Sequence, residues 1–143
     1  MSLKPQILNN IRATIHRIDS SRYIQQQIRA GRKPESFRSE VLLSDEEFGR
    51  FVKYPLEEVK PGFSGASIRE ICDRYAAGLF SRDQVIDELQ RWPYEPEPRQ
   101  TLGWFYENNT DLSSEYLELA YDRGLISEDI YDAVYDSLPE GLR

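Results

Sequence analysis

The sequence predicts an all-α fold, a compact bundle of about six to eight short helices. Three observations carry this reading. Apolar residues recur at intervals of three and four along most of the chain. Three Ser-x-x-Glu/Gln capping boxes stand directly before such runs, at Ser44–Glu47, Ser67–Glu70 and Ser81–Gln84. No segment alternates apolar and polar residues for long enough to suggest a strand.

The elements follow in order. Leu8, Ile11, Ile15 and Ile18 form a helical stripe, and Leu3 and Ile7 extend it. The stripe is shorter than the three or four heptads of a coiled coil. The Ser20-Ser21 pair is expected to break and recap this helix. Tyr23, Ile24 and Ile28 continue as a second piece. It should stop at Gly31, where Arg29, Arg32 and Lys33 suit the negative helix end. Pro34 prevents simple continuation.

Ser44 should cap a helix whose apolar face is Phe48, Phe51 and Val52, closed by Pro55. Residues 55–66 contain Pro55, Pro61, Gly62 and Gly65 and read as a loop. Ser67 opens a helix carrying Ile68, Ile71, Cys72 and Tyr75, and Gly78 stops it. Ser81 opens the next, with Val85, Ile86 and Leu89, and Trp92-Pro93 ends it. Three prolines within residues 93–98 favour extended or polyproline II backbone. Residues 101–106 are expected to form a short helix. Ser113 or Ser114 should cap a helix with Leu117, Ala120 and Tyr121, ended by Gly124. Ser127 should cap the last one, with Ile130, Ala133, Val134 and Leu138 inside.

One internal repeat stands out, with a period of 46 residues. Tyr75, Gly78, Leu79, Ser81 and Asp83 match Tyr121, Gly124, Leu125, Ser127 and Asp129. Gly should take the left-handed conformation at the helix end. Leu should pack back on the helix just left, and Phe80 or Ile126 should seal the corner. Ser should cap the next helix, and Asp should favour its positive end. The result is a helix–Gly-turn–helix corner used twice. It resembles the short helical hairpin of small bacterial interaction domains of the SHOCT type, whose turn reads Gly-apolar-apolar-Ser/Thr-x-acid. The likeness covers about twenty residues per copy and points towards binding rather than chemistry.

Charge divides the chain into a basic N-terminal helical arm, 1–39, and an acidic all-α domain, 40–143. The arm has eight basic and two acidic residues; the rest has ten basic and 23 acidic, for a net charge of -7. Either the arm folds onto the acidic body or the two have different partners.

Composition narrows the function. At 143 residues the chain can hold a core without disulfides or metal. No apolar run approaches a membrane span or a signal peptide, so no membrane role is expected. A single cysteine, Cys72, points to a reducing, cytoplasmic setting. No cofactor is expected, since neither a dinucleotide fingerprint nor a phosphate loop occurs. One Cys and one His exclude a structural zinc site. Asn108, Asn109, Asp111 and Glu115 miss the calcium-loop spacing. Gly62-Phe63-Ser64-Gly65-Ala66 falls short of a nucleophile elbow and reads as a turn leading to the Ser67 cap. Cys72 beside Ile71 reads as structural, His16 as a surface or interface residue, and the paired acids of the later helices as a solvated face.

The expectation is therefore a non-enzymatic protein-interaction module: an adaptor, an assembly subunit, or an immunity- or antitoxin-like inhibitor. Nine of 17 aromatics lie within residues 92–135, interleaved with acids. Two readings compete: most fill the core, Tyr121 and Trp104 first, or they serve an interface. The expected protein-binding set is Trp92, Tyr94, Trp104, Tyr106, Glu115, Glu118, Asp122, Asp129 and Asp132, facing a basic partner. The alternative is a nucleic-acid-binding regulator or packaging accessory using Arg12, Arg17, Arg22, Arg29, Arg32 and Lys33. Self-association through the repeat or the N-terminal stripe is open.

Overall fold

The computed structural model describes residues 3–94 and 114–142. Among the described residues there are seven α-helices and no strand. The helices are α1 (Pro5–Arg29), α2 (Pro34–Phe37), α3 (Asp45–Lys53), α4 (Ile68–Ala76), α5 (Arg82–Arg91), α6 (Glu115–Asp122) and α7 (Glu128–Tyr135). Short 3-10 turns lie at Arg38–Glu40 and Glu140–Leu142. The fold class is all-α, as the sequence predicts. The short helix expected at 101–106 and the extended stretch beyond Tyr94 lie outside the described residues.

The chain packs as two units, Asn9–Glu58 and Met1–Leu8 with Val59–Arg143. The charge boundary at residue 39 therefore falls inside the first unit rather than between two.

The first unit has a core of Ile24, Phe37, Val41, Phe48 and Phe51. The Phe37 ring meets Tyr23 and Phe48 edge-on, at centroid distances of 6.4 and 5.8 Å. The expected break at Ser20-Ser21 does not occur, and α1 runs 25 residues through it. Both serines are buried, and the Ser21 hydroxyl accepts a hydrogen bond from the Leu56 amide at 3.2 Å. Ser costs a helix only about 0.5 kcal/mol relative to Ala, so packing on both sides of the pair overrides it. The helix ends at Gly31 as expected, with φ 88°. Pro34 then starts a further helix instead of only ending one. Proline suits a first helical position, where no amide partner is needed. That turn carries Phe37 into the core. At Ser44 the predicted cap forms, with the Glu47 amide donating to Oγ at 3.1 Å.

The second unit pairs two helical hairpins. α4 packs on α6 and α5 on α7, which places corresponding helices of the repeat against each other. Ile71, Val85, Leu89, Leu117, Ile130 and Val134 fill its core. Both corners close with the same two bonds. Gly78 N–H donates to Tyr75 C=O (2.9 Å) and Leu79 N–H to Arg74 C=O (3.0 Å). Gly124 N–H donates to Tyr121 C=O (2.9 Å) and Leu125 N–H to Ala120 C=O (3.0 Å). These bonds satisfy carbonyls that a helix end leaves without partners, and they require the positive φ of 84° and 76° at the two glycines.

Ser67 and Ser81 cap α4 and α5 through the amides of Glu70 and Gln84. The acid and amide of these boxes work elsewhere. Buried Glu70 accepts from the Ala66 amide and from Arg74, both at 2.9 Å. A Cβ on Gly65 would lie 3.0–3.1 Å from Glu70 side-chain carbons, so a side chain there would require Glu70 to give by a few tenths of an ångström. Two expectations fail here. Leu79 does not pack back on its helix and is 56% exposed, whereas Leu125 is 6% exposed. Ser127 precedes α7 but makes no capping bond; its hydroxyl donates to the Asp129 carboxylate. Ser114 precedes α6 without capping it, and its hydroxyl donates to the Leu142 carbonyl at 2.8 Å; the other expected cap, Ser113, lies outside the described residues.

Candidate functional site

The second hairpin of the larger unit builds the most distinctive surface. The segments of α6 and α7 read EYLELAYD and EDIYDAVY, with no basic residue in either. Of their apolar positions, Leu117, Ala120, Ile130 and Val134 turn inward and are buried, while Leu119 is exposed. Tyr131 and Tyr135 are four residues apart and share a helix face. The corner brings Tyr121 onto the same row. The three rings stack, with Tyr121 and Tyr131 centroids 5.1 Å apart at 30° and Tyr131 and Tyr135 5.5 Å apart at 15°.

Tyr121, expected in the core, is 36% exposed instead, and Tyr131 and Tyr135 are half-buried. On the same corner Leu125 and Ile126 are buried. Glu118, Asp122 and Asp132 are exposed around the stack. The Tyr131 phenol is raised above its ordinary range, first by burial and then by Glu118, Tyr135, Asp122 and Asp132. It therefore remains neutral at physiological pH, and the ring faces keep their negative quadrupole beside three carboxylates.

Asp129 stands apart from those acids. It accepts from Arg82 Nε at 3.1 Å and Nη2 at 2.7 Å, and from the Ser127 hydroxyl. The Ser127 hydrogen bond, followed by that of Arg82, holds its carboxyl below the usual carboxylate range. This pair spans the two corners. Beside it lies a cleft of about 720 Å³ lined by Leu8, Tyr75, Tyr121, Leu125, Ile126 and Glu128 among others.

The other expected binding residues divide. Glu115 is exposed in the first turn of α6. Trp92 is only 3% exposed and is a core residue, with its ring edge-on to Phe63 at 5.0 Å. Tyr94 is half-buried, and its hydroxyl is buried without a hydrogen-bond partner among the described residues. Trp104 and Tyr106 lie outside the described residues. Tyr131 and Tyr135 were not in the expected set, although their spacing of four residues was the available signal.

The basic candidates mostly have partners within the first unit. Arg32 binds Glu40 at 2.6 Å, Arg29 binds Glu58 at 2.7 Å, and Arg17 lies 4.0 Å from Glu47. Arg22 donates to the Glu57 carbonyl from Nε and Nη2. Arg12 and Lys33 are exposed. Residues 9–58 contain nine Lys and Arg against eight Asp and Glu, a net charge of +1. The basic surplus of 1–39 is thus almost neutralised by the acids that fold with it. Arg32 and Tyr23 hydrogen bonds hold the Glu40 carboxyl at about 2.

The reactive side chains have structural partners. Cys72 is fully buried, and burial pushes its thiol well above its ordinary range. His16 Nε2 lies 2.8 Å from the Leu42 carbonyl oxygen. Ser64 donates to buried Glu88 from its amide at 2.6 Å and its hydroxyl at 2.7 Å, which ties the 61–66 turn to α5. Among the described residues, no three His, Cys, Asp or Glu side chains come together to hold a metal. Nor is any described helix long and apolar enough to cross a membrane. No family model, curated protein or solved structure matches the chain.

Proposed function

We propose that this chain is a non-enzymatic protein-interaction module that docks a basic partner on the α6–α7 face. It would act as an adaptor, an assembly subunit or an immunity- or antitoxin-like inhibitor, by covering the partner's basic surface. The observation that carries the reading is the stacked Tyr121, Tyr131 and Tyr135 row flanked by Glu118, Asp122 and Asp132, on helices without a basic residue. Tyrosine offers apolar area with little side-chain entropy to lose, and the carboxylates steer a basic surface onto it. The cytoplasm, where a lone thiol stays reduced, is the compartment that fits the chain best.

The test is affinity capture from host lysate after nuclease treatment. The full chain is compared with a Glu118→Lys, Asp122→Lys, Asp132→Lys variant. A stoichiometric basic protein should bind the native chain and be lost with the variant. Capture that is unchanged by the charge reversal, or that disappears with nuclease, would overturn the proposal. The second outcome would move the function to nucleic acid.

A further inference from the structure

Lys53 and Lys60 lie 5.2 and 5.5 Å from the Tyr54 and Trp92 ring centroids with no ion pair to a carboxylate among the described residues, whereas three arginines share a two-part arrangement. The Arg38 guanidinium lies 4.8 Å from the Phe48 ring centroid while donating to Asp45 at 2.7 and 3.1 Å. Arg91 lies 4.8 Å from the Phe63 centroid while its Nε donates to Asp87 at 2.9 Å. Arg32 lies 5.4 Å from the Phe37 centroid and binds Glu40 at 2.6 Å. In each case one planar cation covers an aromatic face and reaches a carboxylate with its N–H edge. An ammonium has no plane to stack and no fork to match a carboxylate.

The α6–α7 face has the ring and carboxylate parts of the same arrangement. Among the described residues no cation lies over Tyr121, Tyr131 or Tyr135. The outer ring, Tyr121, is exposed, and Glu118 and Asp122 stand on its own helix. We propose that this face reads arginine rather than lysine, so that guanidinium groups of the partner stack on the tyrosine row and bind Glu118, Asp122 and Asp132. The inference rests on the docking reading above and deepens it by naming the partner's chemistry. The charge of the face calls for a cation; the stacked rings select a flat one.

The probes are nona-arginine and nona-lysine peptides, titrated into the full chain at one salt concentration. Binding is followed by calorimetry and by the tyrosine ring resonances. The native chain should bind the arginine peptide at least about twofold more tightly, the lower end of what a cation over an exposed ring contributes. Tyr121→Leu with Tyr135→Leu should lower that ratio while both peptides still bind, the remainder being the forked pairing with the carboxylates. If the double variant fails to fold, Tyr121→Ala, at an exposed position, should still lower the ratio. Replacing Glu118, Asp122 and Asp132 by Gln, Asn and Asn should weaken both peptides, the arginine peptide more, because only it loses a forked pair. Equal affinities in the native chain, or a ratio unchanged by loss of the tyrosines, would overturn arginine reading by the rings and leave the acidic docking face intact. Failure of both peptides to bind would overturn both.

Discussion

The corner at Tyr75–Asp83 and the corner at Tyr121–Asp129 share a backbone and differ in what surrounds it. Their glycines have φ of 84° and 76°, and their closing hydrogen bonds match to the tenth of an ångström. Yet the leucine after the glycine is exposed in the first corner and buried in the second. The serine caps a helix in the first and serves a carboxylate in the second. The tyrosine before the glycine starts a ring stack only in the second. Local bonds fixed the shape of the turn, and the neighbouring elements set the use made of each side chain.

The largest test of this contrast is the leucine pair. Leu125→Ala should cost about 2–5 kcal/mol in urea unfolding, the range for emptying a buried site. Leu79→Ala should stay within about 0.5 kcal/mol, as exposed sites usually do. Similar losses would break the comparison.

The glycines should instead behave alike. Gly78→Ala and Gly124→Ala each force an L side chain into the left-handed region, at about 1–2 kcal/mol. A Cβ at Gly78 meets nothing within 4 Å, and one at Gly124 would make an ordinary 3.6 Å contact with Leu3. Space therefore does not separate the two, and a large difference would show that one turn is held by more than its own bonds.

The serines should diverge again, on a smaller scale. Ser81→Ala removes a helix cap and should cost about 1 kcal/mol. Ser127→Ala removes no cap and should cost less, while letting the Asp129 carboxyl return towards its ordinary range. Thermal unfolding of the two variants measures the first effect, and carboxyl NMR titration the second.

The smallest effect is expected for Arg82→Gln, because exposed ion pairs contribute little at neutral pH. Its signature lies in acid. A carboxyl held below its ordinary range adds stability above that range, and the addition is lost as pH falls through its folded value. Losing Arg82 should flatten this part of the pH–stability curve only partly, since Ser127 is the larger cause of the shift. A curve identical to that of the native chain would show that the two corners are not coupled through this pair.

What could be read in advance follows the same division. Ser44, Ser67 and Ser81 cap the helices they precede, and Gly31, Gly78 and Gly124 end those they follow. Those bonds join residues at most five positions apart, so the local sequence holds both partners. Ser20 and Ser21 misled because what keeps α1 continuous there includes the amide of Leu56, 35 residues beyond Ser21. Trp92 misled because nothing local says whether a helix-ending aromatic turns in or out.

The sequence by itself thus determined an all-α chain, where most of its helices start and stop, and a twofold use of one corner. Tertiary structure decided that Arg17, Arg29, Arg32 and Arg38 would find acids in 40–58. It also decided that Leu125 would be buried while Leu79 stayed in water, and that Tyr121 would join Tyr131 and Tyr135 in one row. The physical reason is range. Caps and left-handed turns are satisfied within one or two helical turns, whereas burial, ion pairing and ring stacking depend on which distant segment arrives to provide the other half.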